Sequence, residues 1–348
     1  MVSETELVSV IIPNYNGAKT LAACLDSVHE QTYRCLEVIV VDDASTDGSA
    51  DIAKSHACTL IELPDNRGPA AARNRGIEAS RGGILFFLDA DVALAPDAVE
   101  TAVRILREHP EYSGASGIYA TTPLFDDGVI ERYQSLHAHY WRRRNAGIVR
   151  AGYFSLGALR RSTVEDIGGF DESLRANNNE DTEYGFRMSL RHPVLLTTEI
   201  SGRHDDDDRL LPLLRKNYRR ASSLVPLFLD RSTPTKTREM AHRPSEIALA
   251  GLIPLSALAA IEFPPFLVLS GALLAGFAGV NAGLLAFVSR AAGRRFLPVF
   301  LLIHLVMNAN IAAAAGVGVA RWLVDHRFRA MYRGGRAAGG AVAVSGKG

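Results

Sequence analysis

The stretch "ILFFLDADVAL", Ile84 to Leu94, runs five apolar residues into Asp89-Ala90-Asp91 and then turns apolar again. An unbroken apolar run of this length, bounded by turn residues, reads as a strand buried on both faces. Such strands belong to parallel sheets covered by helices, and these sheets bind ligands beyond the carboxyl ends of their strands. A D-x-D pair at that end projects two carboxylates to the same side of an extended backbone, where both reach one hard cation. So few protein ligands suit Mg²⁺ or Mn²⁺ that keeps positions open for the oxygens of a diphosphate.

Outward from this strand, the apolar runs Val8 to Ile12, Leu36 to Val41 and Thr59 to Leu63 read as three more strands. Helix-period segments stand between them near Thr20 to Gln31, Ser49 to His56 and Pro69 to Ser80. Leu21, Leu25 and Val28 share one face of the first, while "STDGS" and "DNRGP" supply turn and start signals for the other two. The series predicts an α/β domain with a mostly parallel sheet flanked by helices. Asp42-Asp43 closes the second strand as Asp89-Ala90-Asp91 closes the fourth, so both acidic groups fall at one ligand-binding edge.

From Ala95 to about Arg203 the pattern is less regular, with a helix expected over Pro96 to Glu108, loops around Thr121 to Gly128, and a turn at "IGGFDE" (Ile167 to Glu172). "NNNEDTEYGFRMSL" reads as a capped helix start with Glu180 and Asp181 in its first turn. In the next segment Leu210, Leu214, Tyr218 and Leu224 form a helical stripe among basic residues, the pattern of a helix that lies on a membrane surface. Asp205 to Asp208 are expected as a solvated loop. His137 and His139, two apart in "SLHAHYWRRR", point away from each other on a helix, so no zinc pair is expected from them.

Beyond Arg243 the composition changes abruptly. Phe266 to Ser289 and Phe296 to Ala320 contain no charged residue and match the length that crosses a hydrocarbon core of ~30 Å. Ile247 to Ile261 is shorter, ends at "EFPP", and reads as the first arm of a helical hairpin with Phe266 to Ser289. Asn308 and Asn310 mark the last block for a break, and the basic flanks leave two or three spans as alternatives. The 348 residues carry 38 Lys+Arg against 38 Asp+Glu, which gives no case for a nucleic-acid partner. The balance hides an asymmetry, because basic residues crowd the flanks of the apolar blocks and so point to a membrane. The three cysteines, Cys24, Cys35 and Cys58, fit no metal spacing and read as small core residues in a reducing compartment. "MVSETELVSVIIP" has acids where a secretory signal needs basic residues, so the first domain is expected in the cytosol.

Six motifs in order resemble the family 2 glycosyltransferases, inverting enzymes with the GT-A nucleotide-sugar fold. They are "VSVIIPNYN" (Val8 to Asn16), "VIVVDDASTDGS" (Val38 to Ser49), "NRGPAAARNRGI" (Asn66 to Ile77), "FLDADV", "ALRRSTVEDIGGFDE" (Ala158 to Glu172) and "NEDTEYGFR" (Asn179 to Arg187). No one of them is specific; their order and spacing over roughly the first two hundred residues carry the resemblance. It implies that Pro13 and Tyr15 line the nucleotide pocket, with Asp43 hydrogen-bonding the base and Asp42 close by, and that Arg73 and Asn74 contact the nucleotide or hold the pocket. It makes Asp91 the main metal ligand, for Mg²⁺ or Mn²⁺, and places Asp89 on the ribose or on the metal through water. His204 then completes the metal shell or touches the phosphates. Asp181 becomes the base that takes the acceptor hydroxyl's proton, and Glu180 its supporting acid. From the residues alone, Asp42 also suits a turn, and Asp181 is better read as a helix cap, a reading that the resemblance reverses.

The chain thus divides into a GT-A catalytic domain (1–208), amphipathic interfacial or linker helices (209–243), a membrane domain of two or three apolar helices (244–325), and a basic then small-residue tail (326–348). The expected activity is metal-assisted transfer of one sugar from an NDP-sugar, UDP-linked by preference, to a lipid-linked or membrane-proximal acceptor. The protein would be multi-pass in the cell membrane with the catalytic domain facing the cytoplasm, and would serve cell-envelope polysaccharide synthesis. "RKNYRRASS" stands where processive synthases carry Q-x-x-R-W, hence the single addition. Two alternatives are a non-catalytic nucleotide-binding membrane scaffold and a sugar-phosphate nucleotidylyltransferase. The latter expects a basic, Gly-rich loop where this chain has "PNYNGAKT".

Overall fold

The computed structural model describes residues 6–149, 154–177, 179–189, 191–229 and 241–330. The expected tail beyond 330 and residues 230–240 of the interfacial segment lie outside these. The first half alternates as its sequence demands: β1 (Val8–Asn14), α1 (Leu21–His29), β2 (Leu36–Asp42), α2 (Ser49–Lys54), β3 (Thr59–Glu62), α3 (Pro69–Ala79) and β4 (Ile84–Leu88). The strands lack polar alternation because both faces are covered. Val10, Ile12, Phe86 and Leu88 pack with Leu21, Leu25 and Val28 of α1. Ile11, Leu85 and Phe87 point the other way, into a cluster with Ala70 of α3.

The chain continues through β5 (Val92–Leu94), α4 (Ala98–Glu108), β6 (Gly114–Tyr119), α5 (Val129–Arg144), β7 (Gly147–Val149), β8 (Leu156–Arg160), α6 (Arg161–Ile167), α7 (Glu180–Ser189) and β9 (Val194–His204). One sheet has the order β3-β2-β1-β4-β8-β6-β9-β5, with β7 also on β9. The first four strands are parallel, as expected. Beyond β4 the sheet is mixed rather than mostly parallel: β8 runs antiparallel to β4 and β6, and β5 and β7 run antiparallel to β9, while β6 and β9 are parallel. The sequence after Ala95 lacks the regular strand and crossover-helix alternation that a parallel continuation requires.

Among the described residues six α-helices follow: α8 (Leu210–Leu229), α9 (Pro244–Ala259), α10 (Phe266–Val280), α11 (Ala282–Ala292), α12 (Leu297–Val324) and α13 (His326–Arg329). Helices α9 and α10 form the expected hairpin, with Ser256 Oγ and Ser270 Oγ hydrogen-bonded at 2.8 Å. Among the described residues one helix, Arg294–Val324, is long and apolar enough to cross a membrane, and α9 is short. The block Phe266 to Ser289 is not one straight span: α10 and α11 meet at a 66° bend. The break falls at Asn281 and not at Asn308 or Asn310. Asn308 Nδ2 returns a hydrogen bond to the His304 carbonyl one turn back (2.8 Å), and Asn310 Nδ2 donates to Leu214 O (3.0 Å), so both amides are satisfied within an unbroken helix. At the bend α11 approaches α5 so closely that a Cβ on Gly283 would stand 2.7 Å from Tyr140 Oη.

Helix α8 also departs from expectation. Its apolar residues Leu210, Leu213 and Leu214 pack with Phe300, Ile303 and Met307 of α12. The stripe that reads as a membrane-surface face is therefore spent largely inside the protein.

Candidate active site

The Asp89-Ala90-Asp91 segment is a turn, not the extended end of a strand: the Val92 N–H donates to the Asp89 carbonyl at 3.0 Å. This turn reverses the chain into β5, which pairs with the end of β9 in a register that sets Val92 opposite His204. His204 Nε2 therefore lies 3.4 Å from Asp91 Oδ1, and Asp206 Oδ1 lies 3.0 Å from its Nδ1. The imidazole stacks on Tyr119, centroids 4.5 Å apart and planes 6° apart. Burial opposes its protonation, but Tyr119, Asp206 and Asp91 outweigh this and raise its pKa well above the ordinary histidine value. Burial likewise opposes ionisation of Asp91, and His204 reverses the balance, holding this carboxyl below the usual range.

Asp91 Oδ1 and Asp206 Oδ2 are buried acceptors with no hydrogen-bond donor. Carboxylate oxygens held this way beside an imidazole fit a hard divalent cation. Asp205 to Asp208 are accordingly not a uniformly solvated loop. Asp205 donates its N–H to Asp91 O (2.9 Å) and pairs with Lys19 (2.8 Å), Asp206 faces His204, and Asp207 pairs with Lys216 (3.1 Å). A second acidic group, Asp127, Glu131 and Asp205, brings three carboxylates within 4.8 Å of one another, with the Lys19 ammonium against Asp127 and Asp205.

Asp89 is turned away from this group. Its Oδ1 accepts from Arg73 Nη2 (2.9 Å), and Arg73 Nη1 donates to Glu180 Oε1 (2.8 Å). Arg73 is buried, 6% exposed at its side chain, and joins α3, the D-A-D turn and the start of α7 through one guanidinium. Burial and the neighbouring Asp91 raise the pKa of Asp89 in spite of Arg73. Burial and the adjacent Asp181 do the same for Glu180.

The other expected nucleotide residues separate into two groups. Pro13, Tyr15 and Asp43 line the cleft, as do Arg73, Asp89 and Asp91, and Tyr15 is 53% exposed. The Asp43 carboxylate also accepts from the backbone N–H groups of Arg67 (2.6 Å) and Gly68 (2.7 Å), bracing the left-handed Gly68 (φ 89°) that opens α3. Asp42 and Asn74 are spent on structure. Asp42 accepts from Asn14 Nδ2 (2.7 Å) and from the Ser45 N–H (2.9 Å) and Oγ (2.6 Å), an Asx-type turn. Asn74 exchanges hydrogen bonds with the Phe170 backbone (3.0 and 2.8 Å) and donates to Glu172 (3.0 Å). Gly169 passes so close to this amide that a Cβ there would lie 2.7 Å from Asn74 Oδ1.

Glu180 and Asp181 open α7, as the sequence predicts. Both oxygens of Asp181 accept from Arg220 Nη2 of α8, at 3.0 and 2.8 Å, and Oδ1 also takes the Thr182 N–H (2.6 Å). Burial works against its charge, yet Arg220 and Arg73 hold the carboxyl below its ordinary range. Sequence reasoning overlooked Lys216 and Arg220. Their i, i+4 spacing, which places both on one face of α8, is the signal that would have found them.

Asp42, Asn74, Asp127, Glu131 and Asp207 aside, these groups line one cleft of about 2050 Å³. It starts at Pro13, Tyr15 and Asp43, passes Asp91, His204 and Asp206, and reaches Asp181 and Arg220. From there it opens between α8, α9 and α12 on Leu252, Leu255 and Val319.

A model of the glycosyl transferase family 2 domain matches residues 9–167. The chain is 38% identical over 275 residues to the uncharacterized glycosyltransferase YibD of Escherichia coli, covering 67% of this chain and 78% of that protein. It is 33% identical over 194 residues to the putative glycosyltransferase EpsH of Bacillus subtilis, covering 53% of this chain but only 56% of EpsH. Among solved structures, the mannosyltransferase PcManGT of Pyrobaculum calidifontis, in complex with GDP-Man and Mn²⁺, superposes with a TM-score of 0.56 at 24% identity, over 92% of this chain and 87% of that one. At that identity the likeness is one of fold.

Proposed function

The chain belongs to glycosyl transferase family 2 and is a glycosyltransferase, and we propose that it moves a single sugar, with inversion, from an NDP-sugar to a lipid-linked or membrane-proximal acceptor. The observation that carries this reading is the continuity of the cleft from the acidic turn at Asp91 to apolar side chains on α9 and α12. A polar donor and an acceptor with an apolar tail would meet in it end to end. The faces of α9, α10 and α12 turned away from the cleft, with the turn between the first two, leave Leu258, Ile261, Leu267, Val268 and Leu302 more than 60% exposed. So much open apolar surface supports a membrane location, with the division 1–208, 209–243, 244–325 and 326–348 and the α/β part on the cytoplasmic side.

In this mechanism Tyr15 and Pro13 flank the base, and Asp43, whose oxygens each keep one lone pair, accepts from it. Asp91, with His204 and Asp206, would hold Mg²⁺ or Mn²⁺, and Asp89 acts from beside them. When bound, the ion offsets negative charge on the departing diphosphate. Arg73 fixes Asp89 and Glu180, and through α7 the position of Asp181. Asp181 takes the proton of the acceptor hydroxyl as its oxygen attacks the anomeric carbon, forming the new C–O bond while the bond to the diphosphate breaks. Asp181 Oδ2 accepts from Arg220 (2.8 Å) and keeps a second lone pair for the acceptor's proton, and the arriving diphosphate is an alternative partner for the guanidinium.

The test is release of nucleoside diphosphate from UDP- and GDP-sugars by membranes containing the protein, with and without lipid extract. Lipid-stimulated release from one donor, abolished by EDTA and restored by Mn²⁺ or Mg²⁺, is the expected result. Release that ignores both lipid and metal overturns the proposal.

A further inference from the structure

Three histidines far apart in the sequence meet where the α/β half joins the apolar helices. His137 comes from α5, His242 from the segment before α9, and His304 from α12. A ligand nitrogen from each lies within 4.8 Å of the others. Ring centroids are 4.6 Å (His137 to His242), 5.2 Å (His137 to His304) and 5.6 Å (His242 to His304) apart. Imidazoles bound to one tetrahedral zinc at ~2.0–2.1 Å have centroids about 5 Å apart. The trio is thus close to ligating geometry before any ion is added. We propose that His137, His242 and His304 form a transition-metal site, for Zn²⁺ or a similar borderline cation, separate from the cation site at Asp91.

The surroundings match what such a site needs. Each ring has a protein partner of the kind that orients metal-bound histidines. His242 Nδ1 faces Asn308 Oδ1 (3.1 Å), His304 Nδ1 faces Tyr133 Oη (2.9 Å), and His137 donates to the Ala241 backbone. His304 Nε2 now faces Asn281 Oδ1 at 3.2 Å. The same Nε2 lies 3.3 Å from Asn308 Nδ2, and it ligates in the tautomer that carries the ring proton on Nδ1, where Tyr133 Oη accepts it. Glu246 Oε2 stands 3.7 Å from the same Nε2, and ligand atoms on one tetrahedral zinc lie about 3.4 Å apart. This carboxylate offsets part of the ion's charge.

Burial pushes His137 well below the ordinary histidine value and His242 down to about 4, so both are neutral at pH 7, the form that ligates. His137 and His242 also line the large cleft, which gives an ion a way in. The donor set separates the two sites chemically: three imidazoles favour Zn²⁺, Co²⁺ or Ni²⁺, whereas the carboxylates around Asp91 favour Mg²⁺ or Mn²⁺. Metal there would tie the transferase half to α12 as a three-point clasp.

The experiment is a Co²⁺ titration of the full chain in detergent, stripped of metal beforehand, read by the visible absorption of tetrahedral cobalt and followed by Zn²⁺ displacement. About one equivalent of Zn²⁺-displaceable cobalt is expected. It should survive Asp91→Asn and be lost in His242→Ala and in His242→Phe, the latter keeping a ring to stack on His137 if the smaller residue fails to fold. No tetrahedral spectrum in the unaltered protein, or one that persists in the His242 variants, overturns the site. So does one that disappears with Asp91→Asn.

Discussion

Arg220 Nη2 contacts both oxygens of Asp181, at 2.8 and 3.0 Å, so the proposed base of the reaction is held by a side chain from a helix packed on α12. This pair stabilises the carboxylate and lowers its basicity. In Arg220→Gln the Asp181 pKa rises, because the charged form loses its nearest cation. The base is inactive when protonated, so the acid limb of kcat/KM against pH, which reports the free enzyme, should move to higher pH. An acid limb that stays in place in this variant contradicts the assignment of that limb to Asp181.

Arg73 is expected to matter more for stability than for donor contact. Arg73→Ala leaves Asp89 and Glu180 without their shared cation, and breaking a buried pair in this way costs about 3–5 kcal/mol. Thermal unfolding of the purified chain should show a fall of several degrees. Unchanged unfolding with weakened donor binding would make Arg73 a nucleotide contact instead.

Asn74→Ala removes the hydrogen bonds that hold α3 to the Phe170–Glu172 segment. A loss of about 1–3 kcal/mol is expected, with NDP affinity changed by no more than about twofold. A large affinity loss at intact stability would place Asn74 against the ligand.

The metal assignment separates neighbouring aspartates. Asp206→Asn removes a buried, donorless oxygen beside His204 and should raise the Mn²⁺ concentration for half-maximal activity by about 10–100-fold, as loss of a metal-orienting group does. Asp208→Asn, at a half-exposed side chain, should leave it unchanged. Equal effects at the two positions would point to bulk charge rather than coordination.

Much of this was legible in the chain. Continuous apolar runs showed the doubly covered strands, and the helices between them showed that the first four run parallel. Clustered acids at strand ends marked the cleft. The rest depended on distance in three dimensions. The pairing of Val92 with His204, which makes Asp91 and His204 neighbours, follows from a β5–β9 register that no local pattern encodes. Asp42 and Asp43 are adjacent acids at the end of β2, yet one closes a turn and the other braces the entry to α3 while lining the cleft. Their roles diverge through the backbone N–H groups around them. Asn281 and Asn308 are alike in composition, but α10 and α11 break at the first and α12 runs straight through the second. His137 stands two residues from His139 in the sequence, whereas its partners in space come from positions 242 and 304.

The most direct test of the central claim is Asp181→Asn, which keeps the shape of the side chain and removes its capacity to accept a proton. Transfer from the identified NDP-sugar and binding of that sugar in the presence of Mn²⁺ are measured together. The expected result is a fall in kcat of about 10²–10⁴-fold with donor affinity retained. Transfer within about tenfold of the unaltered protein, an effect below that of a lost general base, would show that Asp181 is not the group that deprotonates the acceptor.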